Sequence, residues 1–146
     1  MRAVVDANVV LALALPLPYS PQSAALVGRL REIGCEVYAP ALLEYEIVSA
    51  LRRAVSVGRI DQATADGTLE RLLRLGVMLI SPAYSLDSLA LLWSERLGHS
   101  KAYDAQYLAL AEQMHCHLWT ADRRRAAAAR QLGAGWVRLV GEEVSA

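Results

Sequence analysis

Five short, mainly apolar segments alternate along the chain with longer segments that have helical periodicity. Each apolar segment has the length of a strand that is buried on both faces. This alternation is typical of a parallel sheet with helices on both sides. We therefore expect the α/β class, as an α/β/α sandwich around a central parallel sheet of about five strands. The expected strands are residues 3–5, 36–39, 77–80, 117–120 and 136–140.

The expected helices lie between these strands and begin at residues that favour helix termini. Ser20 before Pro21 is typical of a helix start. Asp61 and Asp122 are N-cap candidates for two later helices. The alternation runs without a repeat or a linker, so we expect one domain over residues 1–146. The expected helices cover residues 9–15, 20–34, 40–56, 61–75, 87–97, 100–112 and 122–132.

The composition is that of a globular protein, with 55% hydrophobic and 21% charged residues in a chain of 146. A net charge of zero argues against broad electrostatic coating of nucleic acid, but it allows a local basic patch. Cys35 and Cys116 lie far apart and predict no disulfide framework. Asp6 and Asn8 interrupt the apolar N-terminal segment, which is too short to span a bilayer. We therefore expect a soluble cytoplasmic protein.

The helix expected at residues 100–112, with Ser100 as its N-cap, carries an acid on its apolar face. At about 100° per residue, Asp104 falls within the apolar arc of that helix. Burying an unpaired charge is costly, so such a carboxylate either takes up a proton or finds a cation. Asp104 could equally bond backbone amides or an arginine, and both interpretations stay open at this point. The arc consists of Tyr103, Tyr107, Leu108, Leu110, Ala111 and Met114.

Two more acids stand where expected strands end. Asp6 directly follows residues 3–5, and Asp122 lies just beyond residues 117–120. Because the carboxyl ends of parallel strands share one edge of the sheet, both acids should meet the start of the Asp104 helix there. Crowded carboxylates raise one another's pKa, and a divalent cation relieves their repulsion. Oxygen ligands favour Mg²⁺ or Mn²⁺ over Zn²⁺. The simpler alternative makes Asp6 and Asp122 ordinary helix N-caps.

A fourth acid is expected from the helix after Pro40, which offers Glu44 and Glu46. On a helical wheel Glu44 lies within the apolar arc of its helix, whereas Glu46 lies at the edge of that arc. Periodicity therefore leans slightly towards Glu44 and leaves the choice open.

Four blocks of sequence surround these acids. They are Asp6-Ala-Asn8, residues 40–51, residues 103–112 and Thr120-Ala-Asp122-Arg123. Together they resemble the signature blocks of PIN-domain nucleases, and among these the toxin subunits of VapBC-type toxin–antitoxin pairs. The resemblance covers nearly the whole chain, and the block at residues 103–112 is its most specific part.

The resemblance implies an acidic quartet of Asp6, Glu46, Asp104 and Asp122. It selects Glu46 because the family's glutamate is followed four and five residues later by Ala-Leu, which is the case here. We expect Asp6 and Asp104 to bind Mg²⁺ or Mn²⁺ directly. Asp122 and Glu46 would bind a second ion or hold metal-bound water, with Glu46 available as a general base.

Two polar residues match supporting positions of the family. Asn8 stands where Thr or Ser is frequent, and Thr120 precedes the last acid by two residues. Both would orient the metal ligands.

The resemblance further implies cleavage of single-stranded RNA, homodimers and a small antitoxin partner. The antitoxin would lie in a groove formed by the helices at residues 40–56 and 61–75. Arginine suits bidentate phosphate contacts, so five arginines are candidates for holding RNA, although solvated helix faces explain them equally well. These are Arg52, Arg53, Arg123, Arg124 and Arg125.

Two alternative functions share part of this sequence pattern. A PIN domain without activity would act only as an RNA- or protein-binding module. A haloacid-dehalogenase-like phosphatase also begins with Asp after its first strand. That class expects a second Asp two residues on, where this chain has Asn8.

Overall fold

The computed structural model describes residues 1–144, which form the expected α/β fold. The strands are β1 (Arg2–Val5), β2 (Glu36–Pro40), β3 (Met78–Ile80), β4 (His117–Thr120) and β5 (Val137–Leu139). The helices are α1 (Ala7–Leu11), α2 (Ser20–Glu32), α3 (Leu42–Ser56), α4 (Gln62–Leu73), α5 (Tyr84–Arg96), α6 (Ala105–Gln113) and α7 (Arg123–Gln131). Among the described residues, no helix is both long enough and apolar enough to cross a membrane.

The five strands form one parallel sheet in the order β3-β2-β1-β4-β5. The order reverses at β1: β2 and β3 extend the sheet to one side, and β4 and β5 extend it to the other. In open α/β sheets the crevice outside the carboxyl ends of the strands, at such a reversal, is where ligands bind. Here that crevice lies beyond Val5 and its neighbour Trp119.

Helix α6 is the most deeply buried helix beside the sheet. Tyr107 and Leu108 are fully buried, and so are most of the residues around them. The helix packs against α5 and lies across β1, β2 and β4. Most side chains of α6 are apolar and buried, and this packing fixes the position of its first residue at the edge of the sheet.

The predicted start of this helix at Ser100 is wrong. The structure begins it at Ala105, so that Asp104 is the N-cap residue and Tyr103 lies outside the helix, 63% exposed. The physical reason lies in the preceding connection, where Gly98 (φ 68°) ends the turn after α5. Asp104 is therefore placed at a helix end rather than on an apolar helix face.

Other predicted helix boundaries also differ, and α5, for example, begins at Tyr84 rather than at residue 87. Pro40 ends β2 instead of starting α3, because the ladder to β3 continues past it with a bond from Ala41 N to Ile80 O of 2.9 Å. Helix α1 starts directly after β1 and ends at Leu11, where shorter turns follow. Ser20 lies inside α2 rather than before it, and its hydroxyl donates to Leu15 O at 2.9 Å, holding the preceding loop.

Candidate active site

Asp6 lies at the floor of the crevice and is 3% exposed. Its backbone N–H donates to Trp119 O at 2.9 Å, which extends the pairing of β1 and β4 by one bond. Its Oδ2 accepts from Thr120 Oγ1 at 2.8 Å and from Asn8 Nδ2 at 3.2 Å. Burial raises the pKa of Asp6, although the nearby Arg125 guanidinium and the Thr120 hydroxyl oppose that rise.

Asn8 and Thr120 connect the ends of the two central strands. The Asn8 amide donates to Thr120 Oγ1 at 3.1 Å and accepts from Ala121 N at 3.1 Å. Thr120 Oγ1 also accepts from Asp122 N at 3.1 Å. Asn8 and Thr120 thus hold the Asp6 carboxylate and the backbone of Asp122 in one hydrogen-bond network, as a supporting role would require.

Asp122 caps α7, as predicted. Its Oδ1 accepts from Arg125 N at 2.9 Å, while its side chain is 39% exposed. Asp104 lies at the N-terminus of α6. Its side chain is 45% exposed and makes no capping hydrogen bond to the described backbone. Both carboxylates therefore face the open side of the crevice, in contrast to Asp6.

The Arg125 guanidinium lies between the three aspartates. Its Nη1 donates to Asp6 Oδ2, and its Nη2 lies 3.0 Å from Asp104 Oδ2 and 3.5 Å from Asp122 Oδ2. Burial of Arg125 lowers its pKa, but the carboxylates raise it more, so the side chain stays charged. Its expected role in holding RNA from an exposed helix face does not match this position, because the side chain points into the acid cluster and is 14% exposed.

Glu46 reaches the same crevice from α3, whereas Glu44 is exposed on that helix. Burial, followed by the charges of Asp6 and Asp104, raises the pKa of Glu46 to about 7. Its Oε1 is buried and makes no hydrogen bond to any residue in 1–144. Periodicity favoured Glu44 because a helical wheel ranks positions only against the apolar residues of the same helix, and it contains no information about the crevice that Glu46 reaches.

Tyr107 was not identified as a site residue from the sequence. Its hydroxyl is buried near Glu46 without a hydrogen-bond partner among the described residues. Burial and then the negative charge of Glu46 raise its pKa, so it stays protonated. Its position within the apolar arc predicts only a core residue, because a helical pattern does not indicate which carboxylate a buried hydroxyl faces.

The other four candidate arginines are exposed. Arg123 and Arg124 begin α7 beside Asp122, at the rim of the crevice. Arg53 lines a groove between α3 and the loop after α1, and Arg52 lines one between α3 and α4. The first pair is thus placed next to the acids, and the second pair belongs to another surface.

The donor set of the crevice is made of oxygen atoms and is suited to a hard divalent cation such as Mg²⁺ or Mn²⁺. Three carboxylates already converge on one cationic group, and a fourth has a buried oxygen without a hydrogen-bond partner in the described part of the chain. In this conformation, however, no three acidic, His or Cys side chains of residues 1–144 are arranged to hold a metal ion. The residues fit the cation, provided that Arg125 and the carboxylates shift.

Known proteins are similar to this chain over most of its length. The chain is 36% identical over 121 residues to VapC ribonuclease Mb0985 of Mycobacterium bovis, covering 83% of this chain and 86% of that protein. It is 32% identical over 130 residues to ribonuclease VapC3 of Pyrobaculum aerophilum, covering 86% and 93%.

Solved structures share the fold. The crystal structure of PAE2754 from Pyrobaculum aerophilum matches with a TM-score of 0.69 and 25% identity, over 97% of this chain and 85% of that one. VapBC2 from Rickettsia felis, bound to a DNA fragment from its promoter, matches with a TM-score of 0.71 over 95% and 98%; at 10% identity this likeness concerns the fold alone. A PIN domain family model matches residues 3–131. The chain therefore belongs to the PIN-domain family.

Proposed function

We propose that the chain is an endoribonuclease that depends on Mg²⁺ or Mn²⁺ and acts as the toxin of a toxin–antitoxin pair in the cytoplasm. The observation that carries the proposal is the convergence of Asp6, Asp104 and Asp122 on one cationic group, with Glu46 close by. The relatives named as VapC ribonucleases support RNA as the substrate.

Asp6 and Asp104 would hold the ion directly, with Asp122 beside them. A bound divalent ion would activate water and stabilise the charge that develops on the phosphate. Glu46 has a buried oxygen at this crevice and is the best-placed general base. Asn8 and Thr120 hold Asp6 in one orientation.

The residues at the rim of the crevice favour a single-stranded nucleic acid as the substrate. Tyr103 is 63% exposed next to Asp104, and an exposed aromatic ring can stack on an unpaired base. Arg123 and Arg124 are exposed next to Asp122 and can contact phosphates. An aromatic residue and two arginines thus flank the acids.

The phosphatase alternative lacks support from the site. Asn8 stands where that class has its second acid, and its amide donates to Asp6 and contacts Thr120. It is a supporting group here and not an acid.

An antitoxin would bind away from the acids. The groove expected between α3 and α4 is small and has Arg52, Gln62 and Asp66 in its lining. The groove between α1, the loop after it and α3 is mostly apolar, with Val57 at its side 61% exposed, so we propose it in place of the expected one. An amphipathic antitoxin helix suits such a groove. The expected homodimer would use a different surface, such as the outer face of α5, where Leu91 is exposed. The groove is lined by Leu11, Ala14, Leu15, Pro16, Leu17, Ala50, Arg53, Ala54, Val57, Arg59 and Ile60.

The test is cleavage of a labelled single-stranded RNA in the presence of Mn²⁺ or of EDTA. We expect Mn²⁺-dependent cleavage that Asp104→Asn and Glu46→Gln each reduce by at least about 100-fold, a range typical of lost catalytic groups. Glu44→Gln is the matched control on the same helix and should cleave like the wild type, because Glu44 faces solvent.

We expect a small antitoxin gene beside this one, and addition of its product should suppress the cleavage. Cleavage that persists in EDTA or in Asp104→Asn would contradict the metal-dependent nuclease. RNA binding without cleavage under all conditions would instead favour the binding-module alternative.

A further inference from the structure

Arg125 is the group in the crevice that the catalytic proposal leaves unused. Its guanidinium is in contact with the carboxylates of Asp6, Asp104 and Asp122 at once. The side chain is 14% exposed, so water screens these contacts little. A guanidinium carries a fixed positive charge and a planar fork of donors, so it can bridge several carboxylates.

The position of Arg125 follows from the start of α7. Asp122 caps the helix by accepting from the backbone N–H of Arg125, which places the two residues one turn apart on the same side. The side chain then extends over the end of β1, where Asp6 lies. Arg123 and Arg124, directly before it, are exposed and make no ion pair with described residues. Of the three consecutive arginines, Arg125 is therefore the one whose side chain points into the acidic cluster.

The carboxylate oxygens that contact the guanidinium cannot coordinate a divalent ion at the same time. Asp6 Oδ2 is already bonded to Thr120, Asn8 and Arg125. Asp104 Oδ2 and Asp122 Oδ2 share the other nitrogen of the guanidinium. A positive charge left within this cluster would also repel the incoming ion.

We propose that Arg125 is an internal counter-ion that competes with the divalent ion for the acidic cluster and thereby sets the metal affinity of the protein. The inference rests on the proposed function, since it requires these acids to bind the ion. In the metal-free protein the guanidinium balances the three aspartates. When the ion binds, the guanidinium leaves the cluster.

The exposure of the carboxylates indicates the direction of that movement. The Asp6 side chain is 4% exposed and closes the inner side of the cluster, whereas those of Asp104 and Asp122 are 45% and 39% exposed. Arg125 can therefore leave only towards the open rim, where Arg123 and Arg124 already lie in solvent.

Mn²⁺ binding to the purified protein, measured by calorimetry without RNA, tests this competition. We expect Arg125→Gln to bind Mn²⁺ at least about tenfold more tightly than the wild type, because one positive charge has been removed from the cluster. Arg124→Gln is the matched control and should change the affinity by less than about twofold, because its charge lies in screened solvent. Arg125→Lys keeps the charge without the bridging fork and should bind with intermediate affinity.

Thermal unfolding provides a second measurement and also covers a poorly folded variant. In EDTA, Arg125→Gln should melt below the wild type, because three aspartates lose their counter-ion. Saturating Mn²⁺ should raise its melting temperature more than that of the wild type. If wild-type protein binds Mn²⁺ and Arg125→Gln or Arg125→Lys binds it no more tightly, the competition is wrong and the proposed nuclease site stands. If none of these proteins binds Mn²⁺, both proposals are wrong.

Discussion

Glu46 has the least favourable environment of the acids on α3. It lies partly buried between the charges of Asp6 and Asp104, and burial is the largest cause of its raised pKa of about 7. A carboxyl group with such a pKa is partly protonated at neutral pH and can exchange protons with a reacting water. Because its pKa differs between the folded and unfolded protein, Glu46 also makes the stability of the metal-free protein depend on pH.

The pH dependence of stability should report this shift. The pKa of Glu46 rises from 4.5 in a free side chain to about 7 in the folded protein. Between pH 4.5 and about 7 the folded state holds more protons than the unfolded state. The contribution of protonated Glu46 to the free energy of unfolding is therefore complete below about pH 4.5 and is lost as the pH rises through about 7. In EDTA, Glu46→Gln should therefore be more stable than wild type at pH 8 by roughly 1–3 kcal/mol and no more stable at pH 4.

Urea denaturation at the two pH values measures this difference. Glu44→Gln is the control, since it removes a carboxylate from an exposed position of the same helix. Equal pH dependence of Glu46→Gln and wild type would show that Glu46 has an ordinary pKa. Asp6 has a pKa shifted in the same direction, so the comparison between variants, rather than the wild-type curve alone, isolates Glu46.

Among single residues, the sequence predicts the position of acids better than their counter-ions. Asp6 and Asp122 follow strand ends, and strand ends share an edge, so the local pattern places both acids at that edge, while their proximity also requires β1 and β4 to be neighbours. Arg125 looked like its two exposed neighbours, because a run of three arginines gives no indication of which one turns inward. Only the packing of α7 on the sheet distinguishes them.

Helix α7 illustrates how an element can serve both fold and site. Asp122 Oδ1 caps the helix through Arg125 N, and Oδ2 of the same carboxylate faces the guanidinium. Structural capping and a metal-binding role, which were competing interpretations of this acid, are compatible because the two oxygens face different groups.

Substitutions at Asp122 should separate the two roles. Asp122→Ala removes the cap and should destabilise the protein by about 1 kcal/mol relative to Asp122→Asn, because Asn caps as well as Asp does. Both variants should lose RNA cleavage, since neither has the carboxylate. Asp61→Ala removes the corresponding cap of α4, where Asp61 accepts from Thr64 N at 2.7 Å, and should cost similar stability without loss of cleavage.

Denaturant midpoints and cleavage rates of these variants are the measurements. If Asp122→Asn cleaves like the wild type, the carboxylate serves only as a helix cap. If Asp122→Ala and Asp122→Asn are equally stable, the cap contributes nothing to the fold.

At the level of elements, strands were more predictable than helix starts. A strand such as β4 is buried on both faces and must therefore be a short run of apolar residues, which is visible in the sequence. The start of α6 at Ala105 depends instead on how the connection from α5 crosses the molecule. That path is a long-range property, and local cap preferences at Ser100 could not reveal it.

For the whole molecule, the sequence predicts a parallel sheet of five strands but not their order. The order places β1 in the centre, with the chain turning to one side for β2 and β3 and to the other for β4 and β5. This reversal brings the ends of β1 and β4 together, and buried α6 places Asp104 at the same edge. The site is therefore a product of the topology, in which elements distant in sequence contribute one acid each.

The central claim is that this edge of the sheet is a divalent-metal site. Diffraction from crystals soaked in Mn²⁺, with the anomalous signal of manganese, measures it most directly. We predict a manganese peak in contact with Asp6 and Asp104, beside Asp122, with the Arg125 guanidinium displaced towards solvent. A peak elsewhere, or the guanidinium still bridging the three aspartates at saturating Mn²⁺, would contradict the account.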